Sequence, residues 1–422
     1  MLNTKGLSLA NSPPIVLPLH FFLSAPWFAI VAGLMIVFEG ESLILSRWMP
    51  GTLALVHLLV LGFISMIMMG ALLQILPVLL GATGSASTRQ GTLMVVGLTL
   101  GTMLLASGFH FTEHSILFMG ALLAAITLML FMVLAGRALL SAGGPGRARV
   151  TVGMSILALT VAVVLGLVLG GSRAGWLTLP AHQTWVDIHL SWGLIGWMGL
   201  LLIGIASELM PMFYLSPAYP GWLKQHLPAI LLFLLALLFW PLWQHEQPAV
   251  LRTVQTGLLI AFSSFAIASF VLQYRRRRPR WDATLGFWWL GQTGIVLTVI
   301  AWLTDMPASL LGILAIGSGM AFTNGTLYKI VPFLSWYHLQ SRKVMLRRTD
   351  VKLPTMQQFI GETAARWQLA TLVAALILLA LTAWPGISTA RAGGVMLVVS
   401  ALLLLLNLLK AYRLFRAINS KM

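Results

Sequence analysis

Cysteine is absent from this chain. Its absence excludes disulfides, thiolate metal sites, iron–sulfur ligation and covalent c-type haem attachment. Charge is scarce as well. Asp, Glu, Lys and Arg make up 9% of the 422 residues, against about 25% in ordinary globular domains. Walker-type loops, HExxH helices, Gly-x-Ser-x-Gly elbows and Rossmann fingerprints are missing, so hydrolase and ATPase readings have no basis. What fills the chain instead is apolar: 59% hydrophobic residues and a mean hydropathy of +0.93. That much apolar surface cannot be hidden in one water-soluble core. The fold class expected is an all-α polytopic membrane protein.

Apolar runs of about 20 residues cross about 30 Å of hydrocarbon. Twelve occur, near 16–38, 53–80, 91–110, 114–136, 150–171, 186–213, 227–244, 253–274, 284–304, 307–334, 367–385 and 393–417. The loop charges test this count. Of the 26 Lys and Arg, all but Arg47, Arg173, Arg252 and Arg391 fall on the side of the two termini. Glu39, Glu41, Glu113, Asp187, Glu246 and Asp305 fall on the other. A miscounted helix would scramble that segregation. The positive-inside rule then puts both termini in the cytoplasm, in a bacterial-type inner membrane. Topology also accounts for the net charge of +16 without nucleic acid as a partner. Residues 1–14 lack a separate apolar region and cleavage site, so they are not read as a signal peptide. The longest polar stretch, 337–366, reads as a cytoplasmic loop with a short surface helix drawn to anionic lipid.

Three spans end alike. Gly70, Gln74 and Pro77 close the second, Gly204, Glu208 and Pro211 the sixth, Gly325, Lys329 and Pro332 the tenth. The glycines lie 134 and 121 residues apart, near a third of the chain. We read one polytopic domain of three pseudo-repeated four-helix units, about 1–142, 143–281 and 282–422. Glycine permits close helix approach, proline ends the helix near the cytoplasmic interface, and the polar residue lies between them. If the units surround a pseudo-axis, Gln74, Glu208 and Lys329 face one another. Tyr328 could extend them into a proton or ion path. The plainer expectation is a charge pair that fixes packing.

Three stretches carry a resemblance: VHLLVLGFISMIMMGALLQILP (56–77), IHLSWGLIGWMGLLLIGIASELMP (188–211) and SGMAFTNGTLYKIVP (318–332). Together with twelve helices in three groups of four, they resemble the catalytic subunit (subunit I) of haem-copper oxidases. Nitric oxide reductases and C-family oxidases are nearest, with architectural similarity to NnrS-type proteins. The resemblance implies that His57 matches a haem-ligating histidine of the second helix and His189 a copper-ligating histidine of the sixth. The copper pair of the seventh helix and the His-x-His of the tenth have no counterparts, since no histidine lies between His245 and His338. That argues against copper and against oxygen reduction at a dinuclear centre. It also leaves a bis-histidine haem in the family's manner one ligand short.

Among the other histidines, His110 and His114 flank Glu113 at a spacing that could hold a divalent metal on a helix, although the segment reads as a loop. His182 and His189 are seven apart, with Asp187 near enough to orient an imidazole. The 21 Met and 16 Trp read mostly as lipid-facing filler and interface anchors. Met66, Met69, Met210 and Met212 are conceivable soft ligands. The function expected is a haem-binding membrane protein in electron transfer or nitric oxide/oxygen handling, with a respiratory or cytochrome partner. The alternatives are a cofactor-free transporter or channel using Glu208 and Lys329, or an assembly or structural subunit of a respiratory complex.

Overall fold

A computed structural model describes residues 13–83, 86–143, 146–243, 248–277, 279–348 and 350–422, with the side chain of residue 243 left out. The N-terminal residues 1–12, His245, Glu246 and Arg278 lie outside it. The described chain is all helix, with no strand among the described residues. Among the described residues, twelve helices are long and apolar enough to cross a membrane: Val16–Leu43, Pro50–Leu80, Thr88–His110, His114–Leu140, Gly146–Arg173, His182–Tyr214, Gly221–Leu242, Pro248–Tyr274, Ala283–Leu303, Ala308–Met345, Glu362–Leu381 and Ala390–Asn419. We number them spans one to twelve. All twelve expected spans are present, and the chain is a multi-pass membrane protein.

Packing divides the chain into two compact units. One comprises Ala71–Pro279 and Gln292–Pro307, and the other Pro14–Gly70, Arg280–Gly291 and Ala308–Met422. These units cut across the thirds, and spans two and nine contribute to both. In the first unit, spans three and four form a hairpin whose turn places Thr112 at φ 57°. Their backbones nearly touch: a Cβ on Gly108 would stand 2.2 Å from the Leu117 nitrogen, and one on Gly120 2.2 Å from that of Leu105. Membrane helices lack a hydrophobic drive to associate, so close backbone packing carries the contact. In the second unit, span one packs against span twelve through a similar approach, Gly394 lying where a Cβ would be 2.8 Å from the Gly33 carbonyl oxygen.

Two departures from the sequence reading concern helix ends. The repeated prolines do not end their helices. Spans two, six and ten run on to Leu80, Tyr214 and Met345, with Pro77, Pro211 and Pro332 inside. A proline removes one backbone hydrogen bond, and neighbouring helices make that tolerable within a bundle. Span ten also overruns the expected loop. Its last turns carry helix-favouring Leu, Gln, Arg, Lys and Met. Arg342 donates to the Asn419 side chain at 2.6 Å and Lys343 to the Val351 carbonyl at 2.6 Å, tying that end down. The short helix expected in the polar stretch is present at Met356–Phe359, with Phe359 fully buried.

Candidate functional site

Spans two and six share a feature that an apolar sequence hides. Each contains an eight-residue π-helical segment, Leu58–Ser65 and Trp192–Gly199. Such i→i+5 segments are rare and gather at functional sites. Adding the 134-residue repeat distance to the first gives 192–199, the second, so the glycine motif and the wide turns keep one register. Span ten has no such segment, being α-helical over Ala308–Met345. Gly70, Gly204 and Gly325 also behave alike. A Cβ at Gly70 would stand 2.6 Å from Phe21 Cβ in span one, at Gly204 3.2 Å from Thr151 Cγ2 in span five, and at Gly325 2.8 Å from Phe287 Cβ in span nine. Each glycine thus admits the preceding span.

His57 is the residue before the first π segment, half-buried in the second compact unit. Its Nδ1 lies 2.7 Å from the Leu53 carbonyl one turn earlier. His189 lies three residues before the other π segment, in the first unit. Its Nδ1 lies 3.0 Å from the Ala162 carbonyl of span five. A carbonyl can only accept, so each ring donates from Nδ1. Gly166 of span five makes room for the second ring: a Cβ there would stand 3.2 Å from His189 Cε1. In the repeat register His57 corresponds to Ser191, and His189 to Leu55. The two histidines are therefore not equivalent residues of a repeat. The two positions between them amount to about 200° around a helix of 3.6 residues per turn.

The surroundings of His189 hold the residues that the sequence reading missed. Trp185, His189 and Trp192 stand at i, i+4 and i+7 on span six. Both indole Nε1 atoms are buried without a hydrogen-bond partner among the described residues. Trp192 is 5% exposed and Trp197 2%, so these tryptophans are core, not lipid-facing filler. Gly193, one turn past His189, has no atom within 4 Å of where a Cβ would stand. An imidazole donating from Nδ1, two unspent buried donors and an open glycine on one stretch of helix suit a ligand that is flat and bears acceptors on its edge. His57 presents the same kind of side chain in its own unit. Among the described residues, no three of His, Cys, Asp or Glu gather to hold a metal ion.

The remaining candidates are placed on their own spans. His110 ends span three and His114 begins span four, so the break at residues 111–113 denies them a common helix face. His182 is the first residue of span six and shares its helix with Asp187 and His189. Gln74 is buried. Glu208 receives a charge-assisted hydrogen bond from Lys224 at the start of span seven. Lys329 donates at 2.7 Å to Asp282, which also accepts from Leu285 N at 2.9 Å at the start of span nine. Tyr328 is buried and its hydroxyl accepts from Asn407 at 2.9 Å. Met210 is taken up as well, its sulfur receiving the Tyr219 hydroxyl at 3.0 Å. In comparisons with known proteins, no family model and no curated protein matches the chain.

Proposed function

We propose that this is a haem-binding membrane protein of haem-copper-oxidase type, working in respiratory electron transfer or nitric oxide/oxygen handling without a dinuclear centre. The observation that carries the proposal is the environment of His189, an imidazole pinned through Nδ1 with a buried, unspent indole donor on either side along span six. The Ala162 carbonyl fixes the tautomer and orientation of the ring and raises its basicity as a ligand. Trp185 and Trp192 would donate to acceptor groups on the ligand's edge. His57, held in the same tautomer by Leu53, offers a second nitrogen of the same kind. Haem would supply one-electron chemistry and gas binding at its iron, with a potential set by axial ligand and burial. A redox role requires an electron-transfer partner, for which a respiratory protein or cytochrome is the natural class. Loop charge orients the chain with both termini in the cytoplasm of a bacterial-type cell.

The test is a reduced-minus-oxidised visible spectrum of the full chain purified from haem-sufficient cells. Sharp α and β bands with a shifted Soret band are expected, lost in His189→Ala and altered or lost in His57→Ala. A colourless wild-type protein refutes the proposal. The ion pairs of Glu208 in span six and Lys329 in span ten favour a second reading, a cofactor-free transporter or channel. On that reading Glu208→Gln abolishes pH-dependent flux in liposomes, and unchanged flux counts against it.

A further inference from the structure

Span twelve is bracketed by charge. Arg391 and Lys410 enclose eighteen residues without an acidic or basic side chain. At 1.5 Å per residue they stand about 28 Å apart, close to the hydrocarbon thickness of about 30 Å. Lys410 therefore sits at a membrane–water interface. There, the end of span twelve and the segment around the short helix Met356–Phe359 line an open groove of about 690 Å³. Lys410 and Arg413 line it, with Leu406, Leu414, Pro354 and Gln358. No carboxylate is among its lining residues. Neither cation has an ion-pair or hydrogen-bond partner among the described residues, whereas Arg342, Lys343, Arg348 and Arg366 of the same unit are engaged. Gln358 spends its Oε1 on the Thr355 backbone N–H, at 2.8 Å, and keeps its amide donors. One stripe of the helix, Leu402, Leu406, Lys410 and Arg413, runs from apolar to cationic, and Leu402 and Leu406 are 40% and 60% exposed.

We propose that this groove binds the phosphate of an anionic phospholipid, with its acyl chains lying along Leu406 and Leu402. A soluble phosphate would use the cations but not the apolar stripe beside them. That stripe is why the occupant is assigned as a lipid. Basic pockets at helix ends on the membrane surface bind anionic headgroups by this combination. At about 1 kcal/mol per cation near the surface, two cations give about a thirtyfold preference over a zwitterionic lipid of the same chains.

Native mass spectrometry of the full chain with an equimolar mixture of dioleoylphosphatidylglycerol and dioleoylphosphatidylcholine reads this directly. The tightest-held adduct should be phosphatidylglycerol, by about thirtyfold. The preference should fall close to unity in Lys410→Gln/Arg413→Gln and persist in Lys410→Arg/Arg413→Lys. Both positions are exposed, which favours folding of the variants. Should the glutamine pair aggregate, each single glutamine variant should lose about fivefold. A wild type without preference, or glutamine variants that keep it, overturns the proposal. Displacement of the adduct by excess inorganic phosphate shows a soluble-anion site and overturns the lipid assignment.

Discussion

The repeat glycines make a graded prediction that can be worked from distances. At Gly70 an added methyl meets Phe21 Cβ at 2.6 Å and ring atoms of Phe21 and Phe22 at 3.0 and 3.1 Å. Both phenylalanines are fully buried, so neither has room to yield. Overpacking of this kind costs about 1–3 kcal/mol, and a site without relief belongs at the upper end. Alanine recovers about 1 kcal/mol of helix propensity, so Gly70→Ala should destabilise by about 2 kcal/mol net. At Gly204 the nearest atom is a threonine methyl at 3.2 Å, which needs only a few tenths of an ångström. The cost there should roughly cancel the gain. Gly136 in span four has nothing within 4 Å, so its alanine variant should gain about 1 kcal/mol. Thermal midpoints of the three purified variants in one mild detergent, followed by loss of the monodisperse peak, should rank Gly136→Ala above Gly204→Ala above Gly70→Ala. A Gly70→Ala midpoint at or above that of Gly136→Ala refutes the close-approach argument.

Further outcomes can be checked independently. Gly166→Val should push the His189 ring from its place and lower bound haem per protein by pyridine haemochrome assay, while the secondary structure by circular dichroism stays unchanged. Asp282, just outside span nine, is pushed up by burial but held below the ordinary carboxylate range by Lys329 and its hydrogen bonds. Its contribution to stability is therefore complete above about pH 4 and lost as pH falls through the lowered value. Asp282→Asn should flatten that acid limb in a stability-versus-pH series. Burial raises the Tyr219 phenol above its ordinary value. Tyr219→Phe should therefore leave the ultraviolet phenolate titration unchanged up to about pH 11, a limit set by the ordinary value near 10. A reporter fused to the C-terminus should fluoresce as a cytoplasmic protein and be inactive as a periplasmic phosphatase.

The twelve spans were legible because hydropathy and loop charge are each read over many residues, and the two signals agree independently. The ends were not. Pro332 looked like a stop, yet the Gln, Arg and Lys after it carried the helix to Met345. Partner choice was equally hidden. Glu208 and Lys329 each stand four residues after a glycine of the Gly–polar–Pro pattern, but Lys224 and Asp282 are brought to them by the way neighbouring helices begin, which spacing along one helix does not encode. His57 and His189 were singled out by the resemblance of the stretches around them to ligand-bearing helices. The indoles of Trp185 and Trp192 were not, because sixteen tryptophans in a membrane chain look alike until burial separates them.

The wide turns in spans two and six alter what a helical wheel can say about either helix. Each i→i+5 segment amounts to one residue more than α-helical winding needs, so whatever follows is out of phase by about 100° with what precedes it. The histidine end and the Gly–polar–Pro end of each span are thereby indexed separately. Removing one residue from either segment would let it relax to α-helix and rotate one end against the other without changing any side chain at the two ends.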